Sequence, residues 1–281
     1  MPVKFNVLGA LEMVTDDGRS LELNTSKTGQ VIALLLVRCR ETVSSDTLLE
    51  ELWGQRLPRS ARTTLQTYVY HARQMFDREL PGQAGHEVLV TRPPGYAILA
   101  DEELVDSKRF ERLVREGKGL LDAGRPEDAM ARLDEALAMW HGPAFSGMAL
   151  GRVLSAHLTH LCEVRIRAIN LRIEVLRRLG FYQELVPELS SLVAFHPLNE
   201  HFHAQLIEAL YKTGRRADAL RAYQQLRTVL DQELGVEPAP EIRRLQYEVL
   251  NHGRYDEDRP TRGVAPRDRF DVPWGLRAKA G

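Results

Sequence analysis

Apolar positions recur along this chain with two different periods, and the change between them divides it. Residues 3–8, Leu11–Thr15 and Ser20–Leu23 are short apolar-rich or alternating runs, broken at Gly9 and at Asp16-Asp17-Gly18. That is the pattern of a small antiparallel sheet joined by turns. Helical spacing begins at Lys27, where Val31, Ile32, Leu34, Leu35 and Leu36 make the segment to Arg40 a core helix. Thr42-Val43-Ser44 reads as extended. A helix capped by Ser45 or Asp46 then runs to Trp53 and is closed by Gly54 and Pro58. A third helix follows over Arg59–Leu80, with Ser60 placed to cap it through its hydroxyl. Glu87–Thr91, the turn Arg92-Pro93-Pro94-Gly95 and Tyr96–Leu99 complete the segment as a β-hairpin.

The third helix is the unusual one. At about 100° per residue, Ala61, Leu65, Val69, Ala72 and Phe76 form one stripe, with Tyr68 at its edge. The opposite face carries Thr63, Gln66, Thr67, Tyr70, His71 and Gln74: hydroxyls, amides, a phenol and an imidazole in place of Glu/Lys pairs. Such groups match base edges and phosphates, and Arg62 and Arg73 flank them with cationic arms. Taken alone, the same face also fits an ordinary amphipathic surface helix. Its neighbours favour the first reading, because helices two and three make a helix-turn-helix and the hairpin a wing. A helix fits the major groove, and a wing carrying Arg92 at its tip fits the minor groove.

From Leu104 the spacing becomes wholly helical. Phe110–Leu121, Pro126–Trp140, Val153–Leu179, Glu184–Phe195, Glu200–Tyr211, Ala217–Leu234 and Ile242–Leu250 each repeat at about 3.6 residues. Leu121-x-x-Gly124-Arg125-x-x-Asp128-Ala129 matches Tyr211-x-x-Gly214-Arg215-x-x-Asp218-Ala219, and Gly180 and Gly214 stand 34 residues apart. That interval is the tetratricopeptide period, whose stacked helix pairs expose a concave groove. The expected fold is therefore an α+β winged helix-turn-helix over residues 1–100 followed by an all-α, tetratricopeptide-like domain over residues 104–251. Residues 252–281 combine prolines with dense mixed charge, the profile of a disordered tail, within which Phe270, Val272, Pro273 and Trp274 could dock.

Composition narrows the function. Hydrophobic content of 43% over 281 residues, without any apolar run of membrane length or a signal-peptide pattern, predicts a cytoplasmic protein of two domains. Net charge is −1, so any nucleic-acid surface has to be local. One is present: Arg56, Arg59, Arg62, Arg73 and Arg78 outnumber Asp77 and Glu79, with Asp46, Glu50 and Glu51 as an acidic cluster just before. Cys39 and Cys162 fall in separate apolar helices and are not expected to pair.

Both halves resemble the Streptomyces antibiotic regulatory protein family. In the first half the likeness rests on Leu8-Gly9-x-Leu11, Glu51-Leu52-Trp53-Gly54, Pro58-x-Ser60-Ala61, Leu65-Gln66-Thr67-Tyr68-Val69 and Pro94-Gly95-Tyr96, which look like an OmpR-type winged helix. In the second it rests on His196-Pro197-Leu198-Asn199-Glu200, Gly214-Arg215-x-x-Asp218-Ala219-Leu220-x-x-Tyr223 and Glu233-Leu234-Gly235-Val236-Glu237-Pro238, similar to the bacterial transcriptional activation domain. The resemblance implies an activator of a secondary-metabolite gene cluster, bound head-to-tail as a homo-oligomer on direct repeats in double-stranded DNA near the −35 element. It also implies recruitment of RNA polymerase through its sigma factor. By position it assigns DNA contacts to Thr63, Thr64, Gln66, Thr67, Tyr70, His71, Arg73 and Gln74 and to Arg92 and Tyr96 of the wing; Arg62 and Lys27 complete the candidate set. Gln55, Arg56 and Arg59 correspond to the loop presented to polymerase. The chain departs from the family where relatives have Ser-Arg-Leu-Arg-Arg, reading Tyr70-His71-Ala72-Arg73-Gln74. Two cations become His71 and Gln74, which implies a salt slope shallower by about 0.9 per lost phosphate contact.

Catalytic and cofactor motifs are missing: there is no G-x-x-x-x-G-K-[ST], G-x-S-x-G or H-E-x-x-H, and neither enzyme activity nor a cofactor is expected. His157-x-x-His160 with Cys162 converges poorly for a metal, and His196, His201 and His203 read as turn and helix-start residues. Trp53 and Trp140 read as core anchors. One alternative stays open, an adaptor whose helical groove binds a peptide or small-molecule signal and whose winged helix docks protein.

Overall fold

A computed structural model of the chain describes residues 3–15, 18–23, 26–80 and 84–251. The expected tail with its docking segment, and the Asp16-Asp17 corner, lie outside the described residues. Packing divides the chain into two compact units, one ending at Phe181 and the other starting at Tyr182.

In the first unit, strands β1 (Lys4–Asn6), β2 (Glu12–Val14) and β3 (Ser20–Glu22) form an antiparallel meander in that order, with Phe5 opposite Met13 and Met13 opposite Leu21. Period-two alternation puts Phe5 and Met13 on the covered face, 2% and 0% exposed. Helix α1 (Lys27–Val37) starts at Ser26, whose hydroxyl accepts the Gly29 amide at 2.9 Å. It is buried continuously from Gly29 to Val37, because α2 (Ser45–Trp53), α3 (Ala61–Glu79), α7 (Arg152–Leu179) and the wing strand β6 (Gly95–Ile98) all pack on it. Each such aliphatic side chain contributes about 1.5–3 kcal/mol. Strands β4 (Val43–Ser44), β6 and β5 (Leu89–Arg92) make a second sheet in the order β4-β6-β5.

Three local expectations change. Helix α2 is capped by Ser44, whose hydroxyl accepts the Thr47 amide at 3.1 Å, so Ser45 and Asp46 lie inside the helix. Ser60 precedes α3 with φ −92° and ψ 9°, outside the extended geometry that side-chain capping needs, and makes no such bond. Glu87 and Val88, expected to begin a strand, instead end a helical turn, α4 (Gly85–Val88). Asp77 on α3 accepts the Gly85 amide at 2.7 Å and holds that turn's first N–H.

Helices α5 (Asp106–Asp122) and α6 (Pro126–Ala138), with α7, stay on the first unit, so its packing extends well past the change of composition near residue 100. The reason is polar as well as apolar. Asp106 is buried, and its carboxylate accepts the Val7 amide at 2.8 and 2.9 Å and the Leu8 amide at 2.9 Å. The α6–α7 loop answers from the other side: the amides of His141, Phe145 and Ser146 donate to the carbonyls of Leu8, Val7 and Gly9 at 2.9–3.0 Å.

The second unit holds α8 (Tyr182–Phe195), α9 (Glu200–Lys212), α10 (Arg216–Leu234) and α11 (Pro240–Asn251). The repeat seen in the sequence is a repeat of structure. Gly124 and Gly214 take φ values of 73° and 78°. Arg125 and Arg215 donate their amides to Leu120 and Leu210 at 2.9 and 2.8 Å, and their Nε groups to Asp128 and Asp218 at 2.7 Å each.

A buried acid and a half-buried histidine of the first unit act oppositely with pH. Burial pushes the Asp106 carboxyl up to about 6 against the pull of its amide donors, and pushes the His157 imidazole on α7 down to about 4, aided by Lys108 and His160. A raised acid stabilises the fold at low pH, fully below its unfolded value near 3.8, and loses that contribution as pH rises through about 6. A depressed histidine stabilises above its unfolded value near 6.5 and loses that as pH falls through about 4. Between about pH 4 and 6 the two therefore offset each other. Urea unfolding across that window is expected to show His157→Gln gaining stability on acidification and Asp106→Asn losing it, each by about 1 kcal/mol per pH unit. Parallel slopes for the two variants would refute the assignment.

Candidate nucleic-acid interface

Helix α3 is organised by its apolar stripe. Ala61, Leu65, Val69, Ala72, Met75 and Phe76 are buried, which fixes the rotation of the helix on α1 and leaves the opposite face outward. Thr63, Gln66, Thr67, Tyr70, His71 and Gln74 are all exposed, and Tyr70 keeps 58% of its surface open. The hydroxyls of Thr64 and Thr67 donate to the carbonyls one turn back, Ser60 and Thr63, at 3.0 and 3.1 Å. That leaves their oxygen lone pairs outward, while Thr64 itself is half-buried at the edge of the face. Tyr70 and His71 stand side by side with rings 5.9 Å apart. Tyr68, at the stripe's border, stacks on Trp53 at 6.1 Å and 20°, so Trp53 is a packing group that sets α3 against α2.

The wing lies beside this face. Strand β5 pairs with β6 from Leu89 opposite Ile98 to Arg92 opposite Gly95, and the turn between them is Pro93-Pro94, joined by a cis peptide. Arg92 is exposed at the end of β5, and Tyr96 is half-buried on β6 between Val43 and Thr91. The hairpin is moored to the helix-turn-helix by the Pro94 carbonyl, which accepts the Ser45 amide and hydroxyl at 3.1 Å each. Gln55, Arg56 and Arg59 are exposed on the α2–α3 loop together with Leu57, 54% open, which the sequence reading had not singled out.

Three candidate cations are engaged within the protein. Lys27 is drawn inward: its Nζ donates to the Leu52 carbonyl at 2.7 Å and to Gln30 Oε1 at 3.1 Å, satisfying the C-terminal end of α2. Arg73 donates Nε to the Leu89 carbonyl at 2.9 Å and Nη2 to Thr91 Oγ1 at 2.8 Å. Arg62 pairs with Asp46 at 2.9 Å, but both side chains are at least three-quarters exposed, so water and salt screen that pair.

Glu51 is the residue that sequence reasoning misjudged most. Counted as part of a surface acidic cluster, it is 3% exposed and caps α7: Gly151 donates its amide to Oε1 at 2.6 Å, Val153 and Leu154 theirs to Oε2 at 2.7 and 3.3 Å. Its neighbour Glu50 pairs with Arg152 at 2.8 Å. A signal was present, since Glu51 falls one turn after Leu48 on the stripe of Leu48, Leu49 and Leu52, where a solvated carboxylate has no place.

The groove between α5 and α6, about 620 Å³, is lined by charges that already answer one another. Arg109 pairs with Glu135, and Arg132 reaches both Glu116 and Glu135. Trp140 packs edge-on to Phe110 and under the Arg165 guanidinium. Among the described residues no cluster of His, Cys, Asp or Glu is set to hold a metal ion, no helix is long and apolar enough to cross a membrane, and Cys39 and Cys162 are free.

Residues 105–250 match the family model described as the bacterial transcriptional activator domain, and residues 18–98 match that of the transcriptional regulatory protein, C terminal. The chain is 36% identical over 251 residues to the regulatory protein DnrI of Streptomyces peucetius, covering 88% of this chain and 92% of the relative. It is 33% identical to the transcriptional regulator RedD of Streptomyces coelicolor, covering 88% of this chain and 70% of RedD. Among solved structures it superposes on Mycobacterium tuberculosis EmbR in complex with a low-affinity phosphopeptide, with TM-score 0.82 and 31% identity over 89% of this chain and 65% of that one. An OmpR-type winged helix joined to an activator domain, in one chain aligned with these regulators along most of its length, places the protein in the Streptomyces antibiotic regulatory protein family of DNA-binding transcriptional regulators.

Proposed function

We propose that this chain activates transcription of a secondary-metabolite gene cluster by binding direct repeats upstream of its promoter, with α3 in the major groove of each repeat and the wing in the adjoining minor groove. The observation that carries the reading is the exposed, uncharged polar face of α3 beside a hairpin with a cation at its tip. Gln66, Thr67, Tyr70 and Gln74 face base edges; Thr63, Thr64, His71 and Arg62 face the phosphates that flank them. Arg92 and Tyr96 act from the wing. Lys27 is left out of the contact set because its ammonium closes the end of α2. Protomers bind in tandem, and Gln55, Arg56 and Arg59 on the α2–α3 loop meet RNA polymerase holoenzyme at the sigma factor.

Footprinting on the promoter of the neighbouring biosynthetic operon tests the arrangement, since the spacing of protected repeats reports how protomers are placed. In titrations on that site, Gln66→Ala is expected to relax preference at one base position by about 1–3 kcal/mol and to leave binding to scrambled DNA almost unchanged. Equal losses on both duplexes would show that Gln66 does not read a base.

A further inference from the structure

Among the described residues strand β5 is an edge strand, since the sheet order β4-β6-β5 gives one of its sides no strand partner. Arg73 covers part of that side. Its guanidinium makes two directed bonds to β5, Nε to the Leu89 carbonyl and Nη2 to the Thr91 hydroxyl, two residues apart on the strand. It is half-buried, whereas Gln66, Tyr70 and Gln74 on the same helix are exposed. The next residue after Thr91 is Arg92, the cation of the wing tip. One side chain of α3 thus holds the β5 side of the wing, in addition to the Pro94–Ser45 bonds that hold its tip.

We propose that Arg73 is a positioning residue, not a phosphate contact: it fixes the wing on α3 so that Arg92 and the polar face of α3 engage one duplex together. The proposal rests on the helix-and-wing reading above. Its chemistry separates it from the alternative. A phosphate contact needs positive charge, which lysine retains, whereas a two-point tether needs the planar fork of arginine, which lysine cannot supply.

The test uses the full chain and a duplex enriched by the wild-type protein from a random pool, with thermal melting as the check on folding. Arg73→Lys is expected to bind about tenfold more weakly, close to Arg73→Ala. Thr91→Val removes no charge and is expected to lose about threefold. In a double-mutant cycle, Arg92→Ala should cost about tenfold in the wild-type background and less than about twofold beside Arg73→Lys, because a wing loosened on its β5 side no longer delivers Arg92. Should Arg73→Lys fail to fold, the same cycle is run with Thr91→Val, where the cost of Arg92→Ala should likewise shrink. Wild-type affinity for Arg73→Lys, with a salt slope reduced by about 0.9 only in Arg73→Ala, would overturn the proposal in favour of a phosphate contact. So would additive losses in the cycle. If the wild-type chain enriches no duplex, it is the helix-and-wing reading that falls.

Discussion

Glu51→Ala is expected to lower the unfolding free energy of the first unit by about 3 kcal/mol, read as a reduced urea midpoint at unchanged m-value. The carboxylate is buried on α2 and takes the amides of Gly151, Val153 and Leu154, three of the donors that the first turn of α7 cannot satisfy within the helix. Charge-assisted bonds of this kind, placed at the positive end of a 28-residue helix, are among the stronger polar contacts in a fold. Removing the acceptor leaves three helix-end amides without their partner. Glu51→Gln keeps one acceptor oxygen but turns an NH₂ group toward an N–H, and is expected to recover about half the loss. The contact is tight on the other side too. A Cβ on Gly151 would lie 2.3 Å from the Glu51 carbonyl oxygen, so Gly151→Ala should destabilise comparably and non-additively with Glu51→Ala. Additive losses would mean that the two residues do not share one contact.

Gly95→Ala is the second large effect. Gly95 opens strand β6 opposite Ser44, and a Cβ there would fall 1.8 Å from the Val43 carbonyl oxygen. Neither partner is a flexible side chain, so relief requires separating β4 from β6, and with it the wing from the start of α2. The expected cost is about 3 kcal/mol, at the upper end of overpacking losses, accompanied by loss of whatever DNA affinity the wing supplies. Differential scanning calorimetry and a salt-dependent titration measure the two parts. A variant with wild-type melting temperature and wild-type salt slope would show that the wing is not held by this approach.

Much of the architecture was readable from spacing alone. The seven helices after residue 104 lie within a few residues of where their apolar stripes put them, because each buries one face against its neighbours and ends at a residue that cannot continue it. Gly124 and Gly214 announce matching turns, since Arg125 and Arg215 repeat the same local bonds to Asp128 and Asp218. The exposed face of α3 was readable for the same reason: six buried positions on a helix leave no freedom in which side chains point outward. The short turn at Gly85–Val88 was not, because its start is held by Asp77, eight residues earlier on another helix.

What the linear order of residues determined by itself, then, is periodicity and outward chemistry: a small sheet and a helix-turn-helix with a wing, then helical repeats, with a polar uncharged stripe offered on the third helix. Only tertiary structure decided how charged groups are used. Lys27 and Arg73 carry the residue types of DNA contacts, and Glu51 looks like one more surface acid, yet each finds its backbone partner 16 to 103 positions away. Burial of a stripe follows from neighbours three and four residues along a helix, whereas a hydrogen bond to a distant carbonyl or amide depends on where the packed elements bring the backbone.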